Sequence, residues 1–265
     1  MNSALEDGGT FGAGADHFYV AKPVADLRQR PDLGRDRQLR YGEHFGLGES
    51  RRDGFIFGRS EDTQHSGWVA EGDVLPASAR SAPTHRVWVR QTHAYSEPDF
   101  KSPEVAALPH LAKLVVSGQD GRFSRTELGW IPTVHLSDAY AKDPVTVAEL
   151  YLGVPYLWGG NSIWGLDCSG LVHAALMACG MECPSDSGIQ ERALGEELSP
   201  DTSPRRGDLL FWKGHVAWVV DDATLLHANA YHMATAYEPI SEAIQRIEAQ
   251  GDGPVTAHKR LGGQG

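Results

Sequence analysis

The chain has 265 residues, 41% of them hydrophobic and 22% charged, with a formal net charge of −11. This composition excludes a wholly disordered chain, and no apolar run approaches the ~20 residues that a membrane span needs. The negative charge repels polyanions, so nucleic acid and anionic membrane surfaces are poor partners and a ligand bearing an amine is a better one.

Along the chain, MNSALEDGGTFGAGADHF comes first. It has neither a basic leading segment nor an apolar core, so it does not read as a secretory signal, and a cytoplasmic location is expected. Residues 1–16 are Gly-rich and read as a loose tail. From Phe18 the texture changes to short β-like runs cut by turn residues: HFYVAKPVADLRQRPD, QLRYGEHFGL, FIFGRS and SGWVAEGDVLP. Short strands of this kind predict a small all-β module.

The pattern then returns in THRVWVRQTHAYSEPD and VAALPHLAKLVVSGQDGRFSRTELGWIPTVHLSD. Each block has an apolar strand, a Pro-Asp turn, a Gly-containing middle, and Gly-Trp followed by a β-branched residue. The two copies, Gly67-Trp68-Val69 and Gly129-Trp130-Ile131, stand about sixty residues apart, which suggests a duplicated module. The blocks resemble bacterial SH3-like (SH3b) domains over 17–80 and 81–138; the alternative is one irregular β-domain.

From Asp143 the pattern becomes helical. PVTVAELYLG carries Val147, Leu150 and Tyr151 on one side, with Pro144 in the first turn where proline is tolerated. The last domain is expected over 139–265, ending loosely in LGGQG.

Within it lies GLDCSGLVHAALMACG. Leu171, Val172, Ala175, Leu176 and Cys179 recur at three- and four-residue steps, Gly180 is a natural stop, and Asp167 sits in a capping position, so a helix is predicted to begin at about Cys168. The first turn of a helix has unpaired N–H groups and partial positive charge, both of which favour thiolate over thiol. Gly165, Ser169 and Gly170 leave room for a substrate backbone. Position alone leaves two readings open, a nucleophile or a buried helix-end thiol. The chain has three cysteines in all, and Cys179 and Cys183, without further cysteine partners, read as buried thiols rather than as a zinc or disulfide pair.

The downstream segment RRGDLLFWKGHVAWVVDDATLLHANAY holds two β-like runs joined at Asp221-Asp222. An antiparallel hairpin centred on Asp221 sets His215 opposite His227, with Cβ atoms about 4.5–5.5 Å apart. One imidazole can then take the thiol proton while the other holds the first in the correct tautomer. A thiol, a base and an orienting group are the parts of a cysteine hydrolase. His232, then Asn229, are the fallbacks for the third member.

PYLWGGNSIWGLDCSGLV, RRGDLLFW, GHVAWVV and LLHA together resemble the NlpC/P60 cell-wall peptidases, in order and from about Asp138 to about Ile247. With the SH3b-like modules upstream, nearly the whole chain is similar to γ-D-glutamyl-L-diamino acid endopeptidases. The resemblance implies an α+β architecture: a papain-like NlpC/P60 catalytic domain, its nucleophile on a helix packed against an antiparallel sheet, preceded by two small SH3b-like β-barrels. It implies Cys168 as nucleophile, His215 as base and then acid, His227 as the orienting residue, and Tyr156 with its hydroxyl near the oxyanion. It also implies a pocket for the amine of an N-terminal L-Ala lined by Asp167, Ser187 and Asp186, with the first SH3b module closing one side. Glu71 is a candidate for a second carboxylate on that amine, and Tyr95 is another candidate wall. The expected substrate is a murein-derived peptide, L-Ala-γ-D-Glu-diamino acid, in murein peptide recycling, and the chemistry requires no metal or organic cofactor. The alternative is a cell-wall-binding SH3b protein with a degenerate peptidase domain; acyl transfer on the same fold ranks last, for want of an exposed apolar stretch.

Overall fold

The computed structural model describes residues 17–262; the tail expected over 1–16 and the last three residues of LGGQG lie outside them. The chain divides into two compact units. One runs to Ala139 and takes in Asn161–Ile163; the other comprises Tyr140–Gly160 and the chain from Trp164.

The first unit is built from strands: β1 (His17–Val20), β2 (Val24–Arg28), β3 (Arg35–Arg40), β4 (His44–Arg52), β5 (Phe55–Ser60), β6 (Ser66–Ala70), β7 (Val74–Pro76), β8 (His85–Val87), β9 (Gln91–Tyr95), β10 (Glu104–Pro109), β11 (Lys113–Leu114), β12 (Val116–Asp120), β13 (Phe123–Thr126), β14 (Gly129–Pro132), β15 (Leu136–Ser137) and β16 (Asn161–Ser162). The first sheet has the order β3-β2-β6-β5-β4-β1-β7, and two others have the orders β10-β9-β14-β13-β12 and β11-β8-β15. The strand order is duplicated: β10-β9-β14-β13-β12 repeats β3-β2-β6-β5-β4, and the pair β8-β15 repeats β1-β7.

The Gly-Trp signature has a physical cause that is the same in both copies. A Cβ on Gly67 would lie 2.7 Å from the Arg28 carbonyl oxygen, and one on Gly129 would lie 2.5 Å from that of Tyr95. Only glycine lets the neighbouring strand come so close. The tryptophans then pair across the ladder, Trp68 with Arg28 and Trp130 with Tyr95. The next residues, Val69 and Ile131, are fully buried in their respective cores. Each strand runs into a 3₁₀ turn, Glu71–Asp73 or Thr133–His135, and then into the short strand that closes the block.

The two blocks are fused inside this unit. The Lys113 N–H donates to the Tyr41 carbonyl, and the Tyr41 ring belongs to the second core. Gly42, at φ +78°, lies against Lys113 so closely that a Cβ would stand 2.2 Å from its carbonyl oxygen. Buried charge surrounds the joint: Arg40 pairs with Glu43 at 2.6 Å. His110 is only 1% exposed. Burial first, then the fields of Arg40 and Arg86, push its imidazole down to about 3. The folded chain therefore keeps His110 neutral where the unfolded chain, titrating near 6.5, takes up a proton. With more protons bound unfolded than folded, stability falls as pH is lowered from 6.5 towards 3, by up to ~1.4 kcal/mol per pH unit for this group. Melting temperatures are expected to drop steadily between pH 7 and 4.5; a flat or rising series contradicts a buried neutral imidazole here.

The second unit contains α1 (Pro144–Glu149), β17 (Gly165–Leu166), α2 (Cys168–Ala178), α3 (Ser187–Ala193), β18 (Glu196–Glu197), β19 (Asp208–Trp212), β20 (His215–Val219), β21 (Thr224–Asn229), β22 (Ala234–Pro239), α4 (Ile240–Ala249) and β23 (Ala257–Arg260). Six of its strands form an antiparallel sheet of order β18-β23-β19-β20-β21-β22. Leu210, Trp212, Ala217, Val219 and Leu225 pack against Ala243 and Ile247 of α4. The alternate residues Leu209, Phe211, Val216, Trp218 and Leu226 are buried too. A sheet covered on both faces reads as unbroken apolar runs, which is what LLFW and VAWVV are. Helix α2 packs on β20 and β21.

Candidate active site

Helix α2 opens on Cys168, and its N-cap is Asp167, whose Oδ1 accepts from the Gly170 N–H at 2.7 Å and from the Ser169 hydroxyl at 3.0 Å. Oδ2 accepts from the Gly159 N–H at 3.0 Å, so this carboxylate, 4% exposed, also ties down the Trp158-Gly159-Gly160 loop. The glycines of the segment are there for contact. A Cβ on Gly170 would stand 2.5 Å from the Gly160 carbonyl oxygen, and one on Gly160 would stand 2.5 Å from that of Gly165. The helix ends at the Cys179 C-cap with Gly180 following at φ +73°. Gln190 of α3 braces the first turn, donating to the carbonyls of Ser169 at 2.9 Å and Pro184 at 2.8 Å.

The Cys168 side chain is 7% exposed, and its Sγ lies 3.9 Å from the carbonyl oxygen of Gly214. The next residue, His215, begins β20 after the tight Lys213-Gly214 turn, where Gly214 takes φ +78°. Burial raises the other two thiols, Cys179 to about 11 and Cys183 to about 12. Such thiols stay protonated at neutral pH.

His215 Nε2 and His227 Nδ1 are 2.9 Å apart, with ring centroids at 5.1 Å. The register that brings them together differs from the expected one. Trp218 pairs with Leu226 and Val219 with Leu225, so the hairpin is centred on Asp222 rather than Asp221. Continued along the strands, that register sets Asn229 opposite His215, with His227 as its diagonal neighbour. The turn explains the shift: the Val220 N–H closes onto the Thr224 carbonyl, and Asp221 Oδ1 accepts from the Ala223 N–H. Moving the centre by one residue changes each pairing by two, so side chains keep their face. His215, Ala217 and Val219 still share a face with Leu225 and His227.

The line of contacts continues past His227, which is fully buried. Its Nε2 is 2.9 Å from Glu238 Oε2, and Arg246 grips the same carboxylate with Nε on Oε1 at 2.8 Å and Nη2 on Oε2 at 2.7 Å. Burial pulls Glu238 upward, but its hydrogen bonds with Arg246 and His227 prevail and hold it down at about 2. Burial, with the fields of His227 and Arg246, pushes His215 down to about 3 against the pull of Glu238. Burial likewise lowers His227, against the opposing effect of its bond to Glu238. Both imidazoles are therefore neutral at neutral pH, beside an ionised carboxylate.

Tyr156 is half-buried on the segment before the glycine loop. Its N–H donates to the Met233 carbonyl, and its backbone bridges Leu166, two residues before Cys168. Asp186 caps α3, its Oδ1 accepting from the N–H groups of Gly188 and Ile189, and Ser187 is buried as the first residue of that helix. His232 is exposed and bonds Asn229 through its N–H and Nδ1, so His227, and neither fallback, is the group on His215 Nε2. Glu71 and Tyr95 belong to the first unit. Glu71 is exposed, 3.7 Å from Arg51, and Tyr95 packs edge-on against Phe123.

Among the described residues, His227, His232 and Glu238 place donor atoms within 4.8 Å of one another, the one group with the makings of a metal set. Arg246 already fills the cationic position on Glu238. Sequence reasoning missed Gln190, Glu238 and Arg246. All three act through contacts between separate elements, and no local spacing announces them.

Residues 153–248 match the NlpC/P60 family, and residues 27–74 match the bacterial dipeptidyl-peptidase Sh3 domain. A γ-D-glutamyl-L-lysine dipeptidyl-peptidase of Bacillus cereus is 34% identical over 142 residues, 51% of this chain; the match spans 40% of that relative's length. Dipeptidyl-peptidase 6 of Lysinibacillus sphaericus is 26% identical over 79% of this chain and 86% of its own. A γ-D-glutamyl-L-lysine dipeptidyl-peptidase of Bacillus subtilis is 29% identical over 72% of this chain and 69% of its own. The fold matches a crystal structure of an NlpC/P60 family protein from Bacillus cereus with a TM-score of 0.77, at 18% identity, over 92% of this chain and 99% of that one.

Proposed function

Since the chain carries an NlpC/P60 family domain preceded by a bacterial SH3 domain, we propose that it is a cysteine peptidase acting on peptidoglycan-derived peptides, with Cys168 as nucleophile. The observation that carries this reading is the hydrogen-bonded run from His215 through His227 to Glu238, which starts one residue after Gly214, whose carbonyl oxygen lies 3.9 Å from the Cys168 Sγ at a helix N-terminus.

In this reading His215 turns Nε2 to His227 and uses Nδ1 to take the Cys168 proton, which a neutral imidazole can do. The sulfur attacks the γ-carbonyl of D-Glu. The oxyanion is met by the Cys168 N–H and the Tyr156 hydroxyl; donors already aimed at developing charge are a large part of catalysis. His215 then gives its proton to the departing amine of the diamino acid as the C–N bond breaks. A thioester remains, and water activated by His215 cleaves it, returning the thiol and releasing the acyl dipeptide. His227 orients His215.

The finer assignment is the bond between γ-D-Glu and a diamino acid in peptides with a free N-terminal L-Ala. The names of the Bacillus relatives support it, and so does the chain's excess of negative charge. Asp167, Asp186 and Ser187 are the groups we assign to the ammonium. A carboxylate oxygen can accept more than one hydrogen bond, so Asp167 can cap its helix and still face a cation. We assign Glu71 to the wall contributed by the first SH3b module, and residues 81–138, which hold Tyr95 as another candidate wall, to a second module on the strength of its repeated strand order. Murein recycling in the cytoplasm belongs to the same proposal and is testable by cell fractionation.

A panel of L-Ala-γ-D-Glu-diaminopimelate and L-Ala-γ-D-Glu-L-Lys, each free and N-acetylated, tests the assignment by mass spectrometry of products. The free peptides are expected to be cut after γ-D-Glu, and the acetylated ones at least ~100-fold more slowly. Equal rates for the blocked peptides overturn the amine site, and no cleavage of any of them favours a binding module.

A further inference from the structure

Resting on the peptidase reading above, we propose that Glu238 and Arg246 are positioning residues that set the tautomers of both imidazoles, so that His215 presents a bare Nδ1 to the nucleophile. Arg246 holds both oxygens of Glu238, and the guanidinium is itself fixed by Gln250 at 2.9 Å and by the Tyr231 ring at 4.5 Å. A carboxylate gripped in this way is ionised, and an ionised carboxylate only accepts hydrogen bonds. The 2.9 Å contact to His227 Nε2 therefore has the imidazole as donor.

His227 is fully buried and neutral. A neutral imidazole carries one N–H, so with Nε2 protonated its Nδ1 has only a lone pair to offer. The atom facing it at 2.9 Å, His215 Nε2, must then donate. Neutral His215 in turn has its lone pair on Nδ1. Reverse the first bond and every later one reverses: His215 would point an N–H at the sulfur and could not receive its proton. When His215 becomes positively charged during the reaction, the same line ends on a negative carboxylate.

A simple brace between β22 and α4 would use the same ion pair, so the test needs a readout that a brace would not move. The full chain labelled with ¹⁵N-histidine is expected to show His227 as the Nε2–H tautomer and His215 as the Nε2–H tautomer at pH 7. In Glu238→Gln the amide oxygen turns to Arg246 and its NH₂ faces His227, which swaps the His227 tautomer. A wrongly set tautomer costs a Ser-His-Asp triad ~10⁴ in kcat; one bond further out we expect about 100-fold in kcat, with KM within about threefold. Alkylation of Cys168 by iodoacetamide should slow in parallel, and Glu238→Asp, which keeps an acceptor-only group, should recover part of both. A His227 Nδ1–H tautomer in the wild type overturns the proposal. So does a folded Glu238→Gln variant with unchanged kcat and alkylation rate; should that variant not fold, the wild-type spectrum decides. A wild-type Cys168 no more reactive than a free thiol, with no peptide cleaved, fails the peptidase reading instead, while the tautomers still report on the relay.

Discussion

Cys168→Ala is expected to abolish peptide cleavage, lowering kcat/KM by at least ~10⁴-fold, or ~5.5 kcal/mol of transition-state stabilisation, while leaving the fold intact. The structure separates the two effects. Helix α2 is capped by Asp167 and braced by Gln190, neither of which uses the Cys168 side chain. Alanine is the best helix former, and it fits wherever the larger cysteine fits. Loss of the sulfur removes the atom that must form the thioester, and no neighbouring group replaces it. Cys179 and Cys183 are buried with raised pKa values and do not offer a thiolate. The check is peptide turnover together with a melting curve: the rate should vanish and the curve should stay within a few degrees.

The second largest effect is expected from His215→Ala, about 10³-fold in kcat, with alkylation of Cys168 at pH 7 slowed as well. General acid–base catalysis by a positioned side chain contributes ~10²–10⁴-fold, and here one ring performs both the deprotonation and the later proton return. Some activity should survive, because the helix N-terminus still favours the thiolate. Stability should fall modestly. Removing the ring leaves His227 Nδ1 without its 2.9 Å partner, and a buried acceptor without a partner costs ~1–3 kcal/mol unless water enters. A His215→Ala protein that alkylates at the wild-type rate would mean that the thiolate forms without this base.

What could be read from the sequence, and what could not, divides along the range of the interactions. The limits of α2 were legible because both are local: Asp167 bonds the turn it precedes, and Gly180 supplies a left-handed residue just beyond the last turn. The recurring Gly-Trp signature was legible because Gly67 and Gly129 answer the same steric demand. The hairpin centre was missed by one residue, and the register therefore by two, since two adjacent aspartates offer two centres and only the Val220–Thr224 closure selects between them. Parity preserved the faces, so His215 and His227 still met. The extension through Glu238 and Arg246 was invisible because it joins three elements, β21, β22 and α4, whose approach depends on the sheet order and on apolar packing around Ala243 and Ile247. Asp167 was expected to face substrate; what its ties to Gly159, Gly170 and Ser169 show is that it builds the loop around the nucleophile.

The most direct measurement is a rapid acid quench of wild-type protein mixed with L-Ala-γ-D-Glu-diaminopimelate, followed by digestion and mass spectrometry of the peptide that contains position 168. A covalent L-Ala-γ-D-Glu adduct on Cys168, labile to hydroxylamine, far slower to form after His215→Ala and absent after Cys168→Ala, is the predicted result. Cleavage that proceeds at the wild-type rate in Cys168→Ala, or an adduct on any other side chain, would contradict it.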